Sequence, residues 1–204
     1  MIKREELFPT LIYFEDNLLN NNDLKNIKDD ILTEYKKEPR ENWQSLPNLH
    51  NNSLYLPLVN KIKQMSVHVF NDQNLVVNDF VITSMWSNIL KKGEYHKPHT
   101  HSNNYLSGVF YTLSDTDVNN RSDIMFQDPR LQADIFTPDT SMNTRENSRV
   151  RYVPAIENRI VIFPSWLQHH VPVNKSDKVR SSIAFNVMLK GVVNADISLQ
   201  SAEF

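Results

Sequence analysis

The stretch Gly93–Leu113, GEYHKPHTHSNNYLSGVFYTL, joins three histidines, His96, His99 and His101, to an apolar run rich in strand-forming residues. In an extended chain, side chains two apart point the same way. His99 and His101 can therefore present both imidazoles on one side of a strand, within reach of one metal ion. A second cluster, FPSWLQHHVPVN at 163–174, follows about seventy residues later, and then comes VRSSIAFNV at 179–187 with Arg180 near its start. Two same-side histidines, a distant histidine and a late arginine outline a non-haem metal site with an anion-binding group. A lone surface HxH is commonly accidental, and it is the succession of all three segments that gives this one weight.

Outward from that stretch the pattern is β on both sides. LVV at 75–77 and DFVITSMWSNIL at 79–90 are β-rich and bounded by Asn and Asp. After them YLSGVFYTL (105–113), SDIMFQD (122–128), ADIFTP (133–138), VRYVPA (150–155), RIVIFPSW (159–166) and VRSSIAFNVMLK (179–190) read as short strands joined by polar turns. Residues 139–149, DTSMNTRENSR, read as a mobile loop. Before residue 75 the reading is helical. Asn20–Asp23 supply capping residues for a helix to about Lys37, with Leu24, Ile27, Ile31 and Tyr35 on one face. Pro57 suits the first turn of a second helix, whose stripe is Leu58, Ile62, Met65 and Val69. LFPTLIYF at 7–14 reads as a first strand, and 37–53 as irregular, with Trp43 able to pack on the core and His50 exposed. His68 lies off its helix's apolar stripe and reads as solvated. The expected fold is mainly β with N-terminal helices, the helices backing a jelly roll. The expected organisation is a single domain, with a strand and supporting helices over 1–74 and the jelly-roll core over 75–204.

Composition narrows the chemistry. The 204 residues include 22 Lys and Arg against 24 Asp and Glu, a net charge of −2, so general nucleic-acid binding is not expected. No cysteine occurs, which removes disulfides, thiolate nucleophiles and cysteine-held metals. Any metal must be held by His and carboxylate. Three glycines, Gly93, Gly108 and Gly191, leave no glycine-rich phosphate loop. No apolar run approaches the ~20 residues of a membrane span, and the start MIKREELFPT has no apolar signal core. A cytoplasmic protein without a membrane partner is the expectation; a homodimer is compatible with it.

In VRSSIAFNVML, alternation puts Val179, Ser181, Ile183, Phe185, Val187 and Leu189 on one face and Arg180, Ser182, Ala184, Asn186 and Met188 on the other. The second face sets a guanidinium beside a hydroxyl with space at Ala184, suited to a carboxylate. Of the adjacent His169 and His170 only one can face a metal on an extended backbone. Trp166 and Pro172 read as packing residues. On these residues alone a three-histidine cupin-like dioxygenase, and a jelly-roll binding module without catalysis, remain alternatives.

The ordered set WSN at 86–88, GEYHKPHTH at 93–101, YLSGVFY at 105–111, FQDPR at 126–130, FPSWLQH at 163–169 and RSSIAFN at 180–186 resembles the 2-oxoglutarate/Fe(II) oxygenases of bacteria and phages. The resemblance covers roughly residues 80–190. It implies a double-stranded β-helix, Fe(II), and 2-oxoglutarate as a small-molecule co-substrate whose decarboxylation to succinate is coupled to oxidation of a second substrate, most simply hydroxylation. It implies His99 and His169 as iron ligands, Arg180 with Ser182 as the holder of the far carboxylate of 2-oxoglutarate, and Tyr111 as a further lining residue of that pocket. The wider superfamily has His-x-Asp or His-x-Glu where this chain has His99-x-His101. His101 is thus the candidate third ligand, with Asp123, Asp128 or solvent as alternatives.

Overall fold

The computed structural model describes residues 2–130, 132, 135–193 and 201–204. Strand β1 is Tyr13–Glu15, followed by helix α1, Asn21–Lys37. The Asn20 side chain caps α1 by accepting from the Asp23 backbone N–H at 2.9 Å. Leu24, Ile27 and Ile31 are buried along one face, and Tyr35 meets Trp43 edge-on at 5.8 Å. Strand β2, Trp43–Gln44, and two short 3-10 turns, Leu49–Asn51 and Ser53–Tyr55, lead into helix α2, Leu56–Asp72, with a proline in its first turn. The strands that follow are β3 Asp79–Leu90, β4 His96–His99, β5 Leu106–Leu113, β6 Ile124–Gln127, β7 Val150–Val153, β8 Ile160–Pro164, β9 His169–Val171 and β10 Arg180–Lys190. Two-residue strands β11 Val192–Val193 and β12 Ala202–Glu203 pair at the end.

Two antiparallel sheets make the jelly roll. The larger has the order β1-β8-β5-β10-β3-β2 and the smaller β4-β9-β6-β7. Alternation divides the core accordingly. One face of the large sheet, with Phe110, Ile160, Ile162, Ile183, Phe185 and Val187, packs against the apolar faces of α1 and α2. The other face, with Val109, Tyr111, Val161 and Phe163, meets Ile124 and Phe126 of the small sheet. Gly108 is required by the first of these layers. A Cβ there would lie 2.2 Å from the Phe185 ring and 2.7 Å from the Val161 carbonyl oxygen, so any side chain would displace a fully buried phenyl ring.

The strand expected over 7–14 is in fact three residues, Tyr13–Glu15, placed at the edge of the large sheet against β8. Pro9 has no N–H for a ladder and Phe8 has a φ of 55°, both incompatible with continued pairing. Leu75–Val77 form no strand, and of ADIFTP the residues 135–138 are irregular, with Ile135 and Phe136 exposed; 133 and 134 lie outside the described residues. The polar 139–149 stretch is irregular, and Arg145 and Glu146 tie it to Glu6 and Arg4 at 2.9 Å each. Trp43 packs as expected, but its segment is a strand pairing with β3. His68 is exposed and meets Tyr13 edge-on, while His50 is half-buried in a 3-10 turn rather than exposed. No helix among the described residues is long and apolar enough to cross a membrane.

Candidate metal and co-substrate site

The two sheets enclose a cavity of about 410 Å³ lined by both histidine segments and by Arg180, Ser182 and Ala184 of β10. Strand β4 pairs with β9 so that His99 sits opposite His169 and His96 opposite Val171. Three residues on β4 thus span what two span on β9, a bulge at Lys97-Pro98. Proline, without an N–H, fits the position that leaves the ladder. The bulge turns His96 as well as His99 to the cavity, which lists of alternating positions would not reveal. His101 lies beyond the end of β4. Its backbone N–H donates to the Ser165 carbonyl at 3.0 Å, and the Ser165 hydroxyl bonds Ser107 at 2.8 Å, fastening the segment to the large sheet. His99 and His101 therefore converge by a turn out of the strand, not by simple two-residue alternation.

His99, His101 and His169 each offer a ring nitrogen within 4.8 Å of the others. His99 Nδ1 is 2.7 Å from the Lys97 carbonyl, and His169 Nδ1 is 2.9 Å from the Leu167 carbonyl. A carbonyl only accepts, so both Nδ1 atoms carry a proton, and Nε2 is the atom of each ring that can ligate a metal. The Nε2 atoms of His101 and His169 are 3.3 Å apart. Ligands about 2.1 Å from one ion and about 90–110° apart sit about 3.0–3.4 Å from each other. The donor set therefore fits a divalent metal. Burial holds the imidazoles of His101 and His169 neutral, as ligation requires. The pKa of His101 is lowered to about 4 and that of His169 to about 3, burial being the main cause in both.

Asp123 and Asp128 do not join this group. Asp123 receives Arg121 Nε at 2.6 Å and the Ala155 N–H at 2.8 Å, and Asp128 pairs with Arg130 at 2.7 Å. Of the second pair, His169 is buried at the cluster while His170 is half-buried outside it. Trp166 is 58% exposed and does not pack into the core.

Arg180 is 4% exposed. Its Nε donates to the Ser122 carbonyl and its Nη1 to the Ser182 hydroxyl, both at 3.0 Å, and its guanidinium lies over the Tyr111 ring at 5.0 Å. Among the described residues no carboxylate comes within ion-pair distance of it. Burial lowers its pKa. The Tyr111 hydroxyl is also buried without a hydrogen-bond partner, and burial raises its pKa to about 12 against the pull of Arg180. A buried cation without a carboxylate partner and a buried hydroxyl beside it, in the cavity that the three histidines share, fit an anion bound between them. His96 is a lining residue that sequence reasoning passed over. Its Nε2 is buried and unpartnered, and its pKa falls to about 4 through burial and, second, the charge of Arg180.

A jelly roll with a histidine cluster and a buried arginine at one cavity defines a class of metal- and carboxylate-binding proteins. Residues 84–186, half of the chain, match the family described as "Putative 2OG-Fe(II) oxygenase". The chain belongs to that family and is a 2-oxoglutarate/Fe(II)-dependent oxygenase, with Fe(II) and 2-oxoglutarate as its metal and co-substrate. No curated protein matches it significantly by sequence. Solved structures share the fold. A prolyl-4-hydroxylase from Pseudomonas putida has a TM-score of 0.64 and 12% identity, over 89% of this chain and 94% of that one. HygX from Streptomyces hygroscopicus, solved with nickel and 2-oxoglutarate, has a TM-score of 0.64 and 10% identity over 96% and 91%. The α-ketoglutarate-dependent epimerase SnoN of nogalamycin biosynthesis has a TM-score of 0.67 and 10% identity over 89% and 77%.

Proposed function

We propose that His99, His101 and His169 hold Fe(II) through their Nε2 atoms as a three-histidine set. In this reading Arg180 and Ser182 bind the far carboxylate of 2-oxoglutarate and Tyr111 flanks it. The reaction is hydroxylation of a second substrate admitted at the cavity mouth, carried out in the cytoplasm by the chain acting as one domain. The observation that carries the reading is Arg180: a guanidinium 4% exposed, without a carboxylate partner among the described residues, in the cavity that the three imidazoles share.

When bound, the metal and co-substrate supply the oxidising power by coupling dioxygen reduction to decarboxylation of 2-oxoglutarate to succinate. The protein supplies placement. Backbone carbonyls of Lys97 and Leu167 fix the tautomers and ring directions of His99 and His169. Val109, Ile124, Phe163 and Val171 give the cavity apolar walls that limit water around the reacting groups. With neutral imidazoles in place of a carboxylate ligand, the protein cancels none of the metal's charge, which favours retention of a dianionic co-substrate. A three-histidine dioxygenase that dispenses with 2-oxoglutarate would have no use for a buried cation at Arg180.

Anaerobic Fe(II) titration of single variants tests the ligand set. Wild type, Asp123→Asn and Asp128→Asn should each bind one iron per chain, and His99→Ala and His169→Ala should lose it. Iron binding unchanged in His169→Ala would overturn the assignment.

A further inference from the structure

The cavity face of the large sheet carries a polar row that extends beyond Tyr111 and Ser182. Register sets Tyr111 of β5 opposite Ser182 of β10, Ser182 opposite Asn88 of β3, and Asn88 opposite Gln44 of β2. Polar side chains thus follow one another across four adjacent strands, beginning at the arginine clamp and ending at the sheet edge. Asn88 is the member next to Ser182, is 3% exposed and lines the cavity.

The direction of its amide is fixed by what touches it. Trp86 Nε1 lies 3.2 Å from one terminal atom of Asn88, and an indole N–H can only donate, so that atom is the oxygen. Gln44 Nε2 donates to the same oxygen at 2.8 Å. With Oδ1 held by two donors, Nδ2 must point elsewhere, and among the described residues it has no partner. Asn88 lines the cavity, so its N–H groups are available to a bound acceptor. Ser182, opposite Asn88 in register, is the hydroxyl that receives Arg180, so an anion held by that pair would lie beside the Asn88 amide.

The geometry points to Asn88 as a further binding residue for 2-oxoglutarate, donating from Nδ2 to the far carboxylate beside Arg180 and Ser182, with Gln44 as the positioning residue that holds the amide in this orientation. The inference rests on the oxygenase reading above. Binding of 2-oxoglutarate to the Mn(II)-loaded protein, followed by calorimetry without oxygen, separates the two. Asn88→Asp keeps the oxygen that accepts from Trp86 and Gln44 but replaces the donors with an anionic acceptor facing a carboxylate. It should weaken 2-oxoglutarate binding about a hundredfold, and Asn88→Ala about tenfold, with Mn(II) affinity unchanged. Gln44→Ala should weaken binding a few-fold in the wild-type background and add nothing in the Asn88→Ala background, since it acts only through that amide. Failure of the wild type to bind 2-oxoglutarate would refute the underlying reading. A wild type that binds, alongside Asn88 variants that bind within about twofold of it, would refute the role of Asn88 and leave its free N–H groups to the second substrate. Should Asn88→Asp not fold, Asn88→Ala decides alone. Additive losses from Gln44→Ala and Asn88→Ala would overturn the positioning role.

Discussion

Arg180→Met should separate the stability of this protein from its function. Methionine matches the arginine stem in length and removes a charge from a position that is 4% exposed. The substitution breaks the bonds from Nε to the Ser122 carbonyl and from Nη1 to the Ser182 hydroxyl. Each neutral partner left behind costs about 1–3 kcal/mol if it stays unsatisfied, but Ser182 lines the cavity and can turn to solvent. Against this stands the relief of a buried, unpaired guanidinium, a change that elsewhere is neutral or stabilising by about 1–4 kcal/mol. The opposing effects are similar, so the ligand-free protein should change by no more than about 1 kcal/mol. Co-substrate binding should weaken sharply. Loss of a charge-assisted bidentate pair costs about 2–5 kcal/mol, or about thirtyfold upward in Kd. At 2-oxoglutarate a hundredfold above the wild-type Kd, the wild type gains about 2.7 kcal/mol of stability, while a variant thirtyfold weaker gains about 0.9 kcal/mol. Denaturant unfolding of the Mn(II) form with and without 2-oxoglutarate measures both effects. An equal gain in the two proteins would show that Arg180 is an ordinary strand residue and would refute the clamp. Arg180→Lys should recover only part of the affinity, because an ammonium lacks the planar fork.

Gly108→Ala should destabilise by about 2–3 kcal/mol, because its methyl would sit against the Phe185 ring and the Val161 carbonyl; a melting temperature equal to wild type would show that the layer yields more easily than its packing implies. Metal-free protein should lose stability as pH falls from about 6.5 toward 4, with the slope flattening below the folded-state values. The sign follows from His96, His101 and His169, whose folded pKa values of about 4, 4 and 3 lie below the unfolded value, so the unfolded chain binds more protons throughout that window. Urea midpoints measured across pH 4–8 check this, and a midpoint that rises on acidification would contradict it.

Sequence carried the jelly roll because its strands alternate in chemistry between their two faces, as in β10, where Arg180, Ser182 and Ala184 line the cavity while Ile183, Phe185 and Val187 enter the core. Both helices were legible from caps and apolar stripes. The candidate residues His99, His101, His169 and Arg180 are brought to one cavity because strand pairing, not proximity in sequence, sets their distance. What could not be read were features that depend on partners. β2 is only two residues long and exists because β3 offers it an edge. The bulge at Lys97-Pro98 reverses the parity of β4, so His96 faces the cavity three residues before His99, contrary to simple alternation. Asn88 was visible in the WSN motif, but its orientation comes from Gln44, forty-four residues earlier in the chain.

The measurement that bears most directly on the account is succinate formation after anaerobic loading with one equivalent of Fe(II), addition of 2-oxoglutarate and admission of air. The account predicts succinate and carbon dioxide in equal amounts from the wild type, dependent on both iron and oxygen and lost in His169→Ala. Iron and 2-oxoglutarate both bound, with no succinate above the metal-free control in the presence of candidate substrates, would contradict it.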